Sequence, residues 1–167
     1  MSAFDLKWRS DDLFLPDMPK SSGNNDVDIK IIEQSYKLWP EIERGIADTS
    51  FLQMKENDLR LEVCNIGRFR AINGNKIFWN KFDEKVNDND IRTFLMGSMF
   101  GAILIQRGLT LMHGNALEKN GKTIVCLGFS GAGKSTLAYA LLQNGWKFIS
   151  DDLVAINNEG YILKGIP

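Results

Sequence analysis

The chain has 167 residues, 44% of them hydrophobic and 25% charged, which is ordinary globular usage with material for one sizeable core. Acidic and basic residues nearly cancel to a formal net charge of −1, which argues against a basic groove for nucleic acid. The two cysteines, Cys64 and Cys126, stand far apart, and no basic then apolar leader follows Met1, so a cytoplasmic, reducing setting is expected.

In chain order, Pro19 to Asp26 (PKSSGNND) collects turn formers and predicts a loop. The runs VDIKII (27–32), LRLEV (59–63), GRFRAI (67–72) and KIFW (76–79) are β-prone and separated by turn signals such as Asn73-Gly74-Asn75. Together they predict an N-terminal antiparallel meander.

A helix is expected next, capped by Asp88 or Asn89, starting near Asp90 and ending after Arg107 at Gly108. Its segment FLMGSMFGAILI (94–105) is shorter than the roughly 20 apolar residues that cross a bilayer. It reads as a buried core helix, with no membrane partner. Gly97 and Gly101, four apart on one face, predict the close approach of another element.

Two β-prone runs then flank Asn120-Gly121, the dipeptide best suited to a two-residue type I′ hairpin, where both central residues need positive φ. That turn pairs Lys119 with Lys122 and, counting back, His113 with Gly128. Opposed Cβ atoms lie roughly 5 Å apart, so the one histidine of the sequence is expected at the mouth of the following loop.

That loop, Gly128-Phe-Ser-Gly-Ala-Gly-Lys134-Ser135, fits the Walker A pattern G-x-x-x-x-G-K-[ST] without mismatch, after a β-run and before a helical one. Gly128, Gly131 and Gly133 open conformations closed to other residues and let N–H groups converge on phosphate oxygens without a Cβ in the way. Ser130, Ala132 and Thr136 complete the expected cradle, and the helix start adds attraction for anions. Lys134 can reach the β- and γ-phosphates of ATP, and the Ser135 hydroxyl suits Mg²⁺.

The helix from Thr136 to Asn144 is expected to bury Leu137, Ala140 and Leu141 and to stop at Gly145. The chain returns as WKFIS, then Asp151-Asp152, then LVAI. One carboxylate of such a pair can hold Mg²⁺, and the other, desolvated or beside its like-charged neighbour, can serve as general base. Small-molecule kinases of the shikimate and gluconate type also carry carboxylates at this spacing. They begin with the P-loop strand, whereas here a long segment and a histidine-bearing strand come first.

With those residues in hand, Leu104 to Ile156 resembles the HPr kinase/phosphorylase superfamily, and most closely its HPr-kinase-related branch, which includes kinases beside lasso-peptide genes. The resemblance covers about a third of the chain. It implies an α/β fold with an N-terminal β-rich region (1–87) and a nucleotide-binding core (88–167) related to phosphoenolpyruvate carboxykinase. It also implies ATP and Mg²⁺ as cofactors, His113 as support for the catalytic carboxylate, Asp151 as the base, and Asp152 as the metal ligand beside Ser135.

The implied activity is phosphoryl transfer to a serine-type hydroxyl of a protein or peptide. A small-molecule hydroxyl kinase and a nucleotide-binding regulatory module without turnover stand as alternatives. Members of that family continue well past the aspartates with a basic residue and substrate-binding elements. Three expectations follow from that: a fragment of a longer chain, a separate C-terminal partner chain, or an incomplete active site; a homo-oligomer stands as a further expected partner.

Overall fold

The computed structural model describes residues 2–16, 27–40, 47–49 and 51–166, so the loop expected at 19–26 lies outside the described residues. The fold is mixed α/β, with two sheets and few helices. The larger sheet contains β1 (Ser2–Ala3), β2 (Leu6–Ser10), β3 (Ile29–Glu33), β4 (Ala47–Asp48), β5 (Leu52–Lys55), β6 (Asp58–Val63), β7 (Gly67–Ile72) and β8 (Lys76–Lys81). Their order is β1-β2-β3-β8-β7-β6-β5-β4.

The expected runs at β6, β7 and β8 are antiparallel and extend into a meander through β5 and β4, which were not expected, but β3 does not belong to it: it runs parallel to β2 on one side and to β8 on the other. A parallel pair needs a long crossover, and the meander strands between β3 and β8 provide one. In β7 and β8 the alternation is direct: Phe69, Ala71, Ile77 and Trp79 turn inward, and Arg68 and Arg70 lie on the other face of β7. On that face Arg70 donates to Asp58 Oδ1 and Oδ2 at 2.9 and 2.6 Å, and Arg60 joins the same carboxylate.

The inward face is covered by α1 (Asp88–Phe94), a π-helical turn at Leu95–Met99, and α2 (Phe100–Gln106). The cap is Asn87, one residue before the expected Asp88 or Asn89; its side chain accepts from the Asn89 N–H at 2.9 Å. Asp88 and Asp90 then place negative charge at the positive end of the helix dipole. Ile91, Leu95, Met99, Phe100, Ile103 and Leu104 are fully buried, and Trp8 stacks on Phe100 with centroids 4.0 Å apart. Each such side chain contributes about 1.5–3 kcal/mol by leaving water. This core unites β2, β3, β7, β8 and the helix, so it crosses the boundary expected at residue 87.

The close approach expected at Gly97 and Gly101 is not found. A Cβ built at Gly97 meets nothing within 4 Å, and one at Gly101 meets only Leu111 Cδ1, at 3.6 Å. Gly97 lies in the π turn, where the widened helix leaves it facing a cleft. No helix among the described residues is long and apolar enough to cross a membrane.

The smaller sheet is built around β9 (Thr110–Lys119), which pairs antiparallel with β10 (Lys122–Leu127), β11 (Lys147–Ser150) and β12 (Leu153–Ile156). The hairpin register is the expected one, with Lys119 opposite Lys122, and Asn120 and Gly121 both have positive φ. Strands β10 and β11 flank β9 and are therefore parallel to each other, joined by α3 (Lys134–Gln143).

Helix α3 buries a different face from the one expected. Ala138 is buried, and Leu141 and Leu142 pack with Trp146 and Phe148 against Leu117 and Cys126, whereas Leu137 is 52% exposed and Ala140 is exposed. The contact face is turned by about one residue, roughly 100° of helix, from the one that the apolar spacing suggests. Gly145, with φ +79°, follows the helix as expected.

Candidate functional site

The loop from Gly128 to Gly133 carries the chain from the end of β10 into α3. Gly131 and Gly133 have φ of +80° and +86°, the left-handed region that side chains resist, so the glycines of the motif stand where the backbone requires them. At Gly128 the fit is tight rather than strained: a Cβ there would lie 3.2 Å from Ala132 Cβ. The Ala132 N–H closes the turn onto Phe129 O at 3.1 Å.

Gly133 caps α3 with no side-chain partner, and Leu137 N to Gly133 O, at 2.9 Å, is the first helical bond. The N–H groups of Lys134, Ser135 and Thr136 therefore precede the intrahelical ladder at the positive end of the dipole. Lys134 Nζ is drawn over the loop, donating to Gly128 O at 2.8 Å and Phe129 O at 3.2 Å. A ligand anion would compete with these two carbonyls for the ammonium.

The two aspartates sit at the corner between β11 and β12, both of which pair with β9. The register slips between Phe148 and Ser150, and Asp152 takes φ +62°, a conformation that aspartate tolerates better than most residues. Buried Ser150 fixes the corner by donating to Leu153 O, and the Asp152 N–H donates to Asp151 Oδ1 at 2.9 Å. Both carboxylates are exposed rather than desolvated, the Asp152 side chain by 81%.

His113, opposite Leu153 in the register, brings Nδ1 to 3.1 Å from Asp152 O and 3.1 Å from Asp152 Oδ1. It reaches Asp152 and not Asp151. Asp151 is held by a residue that the sequence pattern does not single out. Asn115 is 4% exposed on β9, and with its amide nitrogen turned toward the acceptors it donates to Asp151 Oδ1 at 2.9 Å. Only the register of β9 against the bulged corner brings the two together.

The end of the described chain closes the back of the corner. Asp151 N donates to Ile166 O at 2.8 Å, Gly165 N to Ile149 O at 2.9 Å, and Phe4 N to Lys164 O at 2.6 Å. A Cβ at Gly165 would overlap Ser150 Oγ and fall 2.6 Å from Phe4 Cε1.

Ser130, Gly131, Gly133, Lys134, Ser135 and Thr136 form one wall of a cleft of about 520 Å³, and His113, Asn115, Asp151 and Asp152 form the other. The motif residues and the acidic corner therefore meet across one space, open and polar enough for an anionic ligand. Among the described residues no three His, Cys, Asp or Glu side chains converge as a metal cage. The Ser135 hydroxyl and the two carboxylates fit the way Mg²⁺ is held, by few protein oxygens together with substrate phosphates. No family model, curated protein or solved structure gives a significant match to this chain.

Proposed function

We propose that the chain is a nucleotide-binding phosphotransferase whose 128–136 loop takes the phosphates of ATP. Within that class it reads as an HPr-kinase-related enzyme, transferring the γ-phosphoryl group to a serine-type hydroxyl in a cytoplasmic setting. One observation carries the reading: the loop glycines, Lys134 and Ser135 face Asp151 and Asp152 across a single cleft. Loop conformation supports it too, since Gly131 and Gly133 hold the positive φ that a phosphate-cradling backbone requires.

Lys134 would exchange its two loop carbonyls for phosphate oxygens, and the first-turn N–H groups of α3 would add neutral donors at the positive end of the dipole. Ser135 and one aspartate would hold Mg²⁺, which when bound offsets charge on the phosphates. The contacts favour exchanging the roles expected of the two carboxylates. His113 touches Asp152, so Asp152 is the supported base; Asn115 orients Asp151, as outer partners orient metal-binding carboxylates.

In the transfer, the acceptor O–H bond breaks and its proton passes to the Asp152 carboxylate. The acceptor oxygen bonds to the γ-phosphorus, and the bond from that phosphorus to ADP breaks. Positioning and charge account for most of the catalysis, and the base typically adds a factor of about 10²–10⁴.

The test is ³²P transfer from ATP to serine peptides by wild type, Asp151→Asn and Asp152→Asn. Asp152→Asn should keep ATP affinity and lose transfer by about that factor. Asp151→Asn should raise the Mg²⁺ concentration needed. If neither variant differs from an active wild type, the carboxylates only shape a turn. Tight ATP binding with no transfer by the wild type would favour the regulatory module.

A further inference from the structure

A second cleft, of about 490 Å³, shares His113, Asp151 and Asp152 with the first and is lined by none of the loop residues. Its other walls come from four parts of the chain: Phe4, Thr93 with the π turn at Met96, Gly97 and Ser98, Leu153 beside the corner, and Ile166. No lysine or arginine lines it, whereas the first cleft contains Lys134.

Resting on the kinase reading above, we propose that this second cleft is the acceptor site, and that it takes an uncharged serine-bearing peptide segment with apolar residues beside the serine. Three features of the cleft argue for this occupant.

The first is position. The clefts share Asp151 and Asp152 while the loop residues line only the first, so an acceptor in the second presents its hydroxyl to Asp152 without occupying the wall that takes the phosphates. In-line transfer needs the acceptor and the phosphates to meet at one corner from separate walls.

The second is charge. With two carboxylates and no lining cation, an acceptor bearing phosphate or carboxylate groups would meet repulsion without a partner, which disfavours anionic small molecules and acidic peptides. The third is surface character. The half-buried Met96, Leu153 and Ile166 offer apolar area, and the methionine can adapt to varied side chains.

The π turn accounts for the room. Leu95 and Met99 remain fully buried beneath it, while Gly97 and Ser98 between them are exposed, and a Cβ on Gly97 would enter open space. Single-turn π insertions occur frequently at functional sites. Here the insertion widens the helix where it faces the carboxylates, and the residue with no side chain stands at that point.

The experiment is an amide NMR titration of the 167-residue chain, without nucleotide, using N-acetyl-Leu-Ser-Leu-amide and N-acetyl-Glu-Ser-Glu-amide. The first peptide should shift the amides of Gly97, Ser98 and Leu153, and the acidic one should not at the same concentration. Gly97→Leu fills the open space and should weaken the response to the neutral peptide at least tenfold while leaving the melting temperature near wild type.

A wild type unresponsive to the neutral peptide, equal responses to both peptides, or a Gly97→Leu variant that binds like wild type would each overturn the proposal. A non-hydrolysable ATP analogue with Mg²⁺ is then added to the same sample, and the amides of Gly131 and Gly133 report the loop. Failure there with an intact peptide response would refute the nucleotide reading and leave peptide binding at the cleft standing.

Discussion

Replacing Gly165 with alanine adds one methyl group at the back of the acidic corner. That methyl would overlap Ser150 Oγ and lie 2.6 and 2.9 Å from two ring atoms of Phe4, distances that real Cβ atoms do not show. Ser150 is fully buried with its hydroxyl committed to Leu153 O, and Phe4 is 2% exposed, so neither can swing away cheaply. Overpacking of this kind costs about 1–3 kcal/mol. For a chain of this size each kcal/mol lowers the midpoint by about 2–4 °C, so a fall of about 2–12 °C is expected in a thermal melt followed by circular dichroism. Gly97→Ala is the matched control: its methyl enters open space on a helix, and its midpoint should stay level or rise slightly. An unchanged midpoint for Gly165→Ala would refute the packing of the terminal segment against the corner. A loss equal to that of Gly97→Ala would refute it equally.

The Asp58 carboxylate is raised by burial, but hydrogen bonds from Arg70 and Arg60 outweigh this and hold it below the ordinary carboxylate range. Its stabilisation is therefore present above the unfolded value, near pH 4, and is lost as pH falls through the lowered folded value. Asp58→Asn should cost about 3 kcal/mol at pH 7, because Arg70 is left buried and unpaired, and urea melts should show that gap closing below about pH 4. His113→Ala removes the hydrogen bond to Asp152 O and the close contact with its exposed carboxylate, together worth about 1–2 kcal/mol, so ³²P transfer should fall about 5- to 30-fold with ATP affinity near wild type. Equal losses in both constants would show that His113 acts on binding instead.

Local signals in the sequence carried well where backbone chemistry is specific. Asn120-Gly121 demands two positive φ values and so determines the register of β9 against β10, while the pairing of β9 with β12 takes His113 to the aspartate corner. The glycines of the loop are legible for the same reason, as is the positive φ at Gly108 and Gly145.

What depends on contacts distant in sequence was not legible. Asn115 meets Asp151 only because β11 slips by a residue against β9, and no pattern within β9 signals that slip. The face of α3 is decided by what the sheet offers, Leu117 and Cys126, and not by its own apolar spacing. The parallel place of β3 depends on where β8 returns after the meander. The π turn leaves no mark in the sequence beyond two glycines, whose spacing suggested tight packing where the structure has an opening.

The central claim is that the 128–136 loop binds nucleotide phosphates through Lys134, and calorimetric titration of a non-hydrolysable ATP analogue with Mg²⁺ into wild type and Lys134→Ala tests it most directly. Lys134 makes no ion pair among the described residues and donates only to Gly128 O and Phe129 O, so its removal should leave the fold intact and act on the ligand. A hydrogen-bonded charge of this kind is worth about 1.5–3 kcal/mol, which predicts saturable binding by wild type and an affinity about 10- to 100-fold weaker for Lys134→Ala at an unchanged melting temperature. Equal affinities for the two proteins, or no binding by wild type, would contradict it.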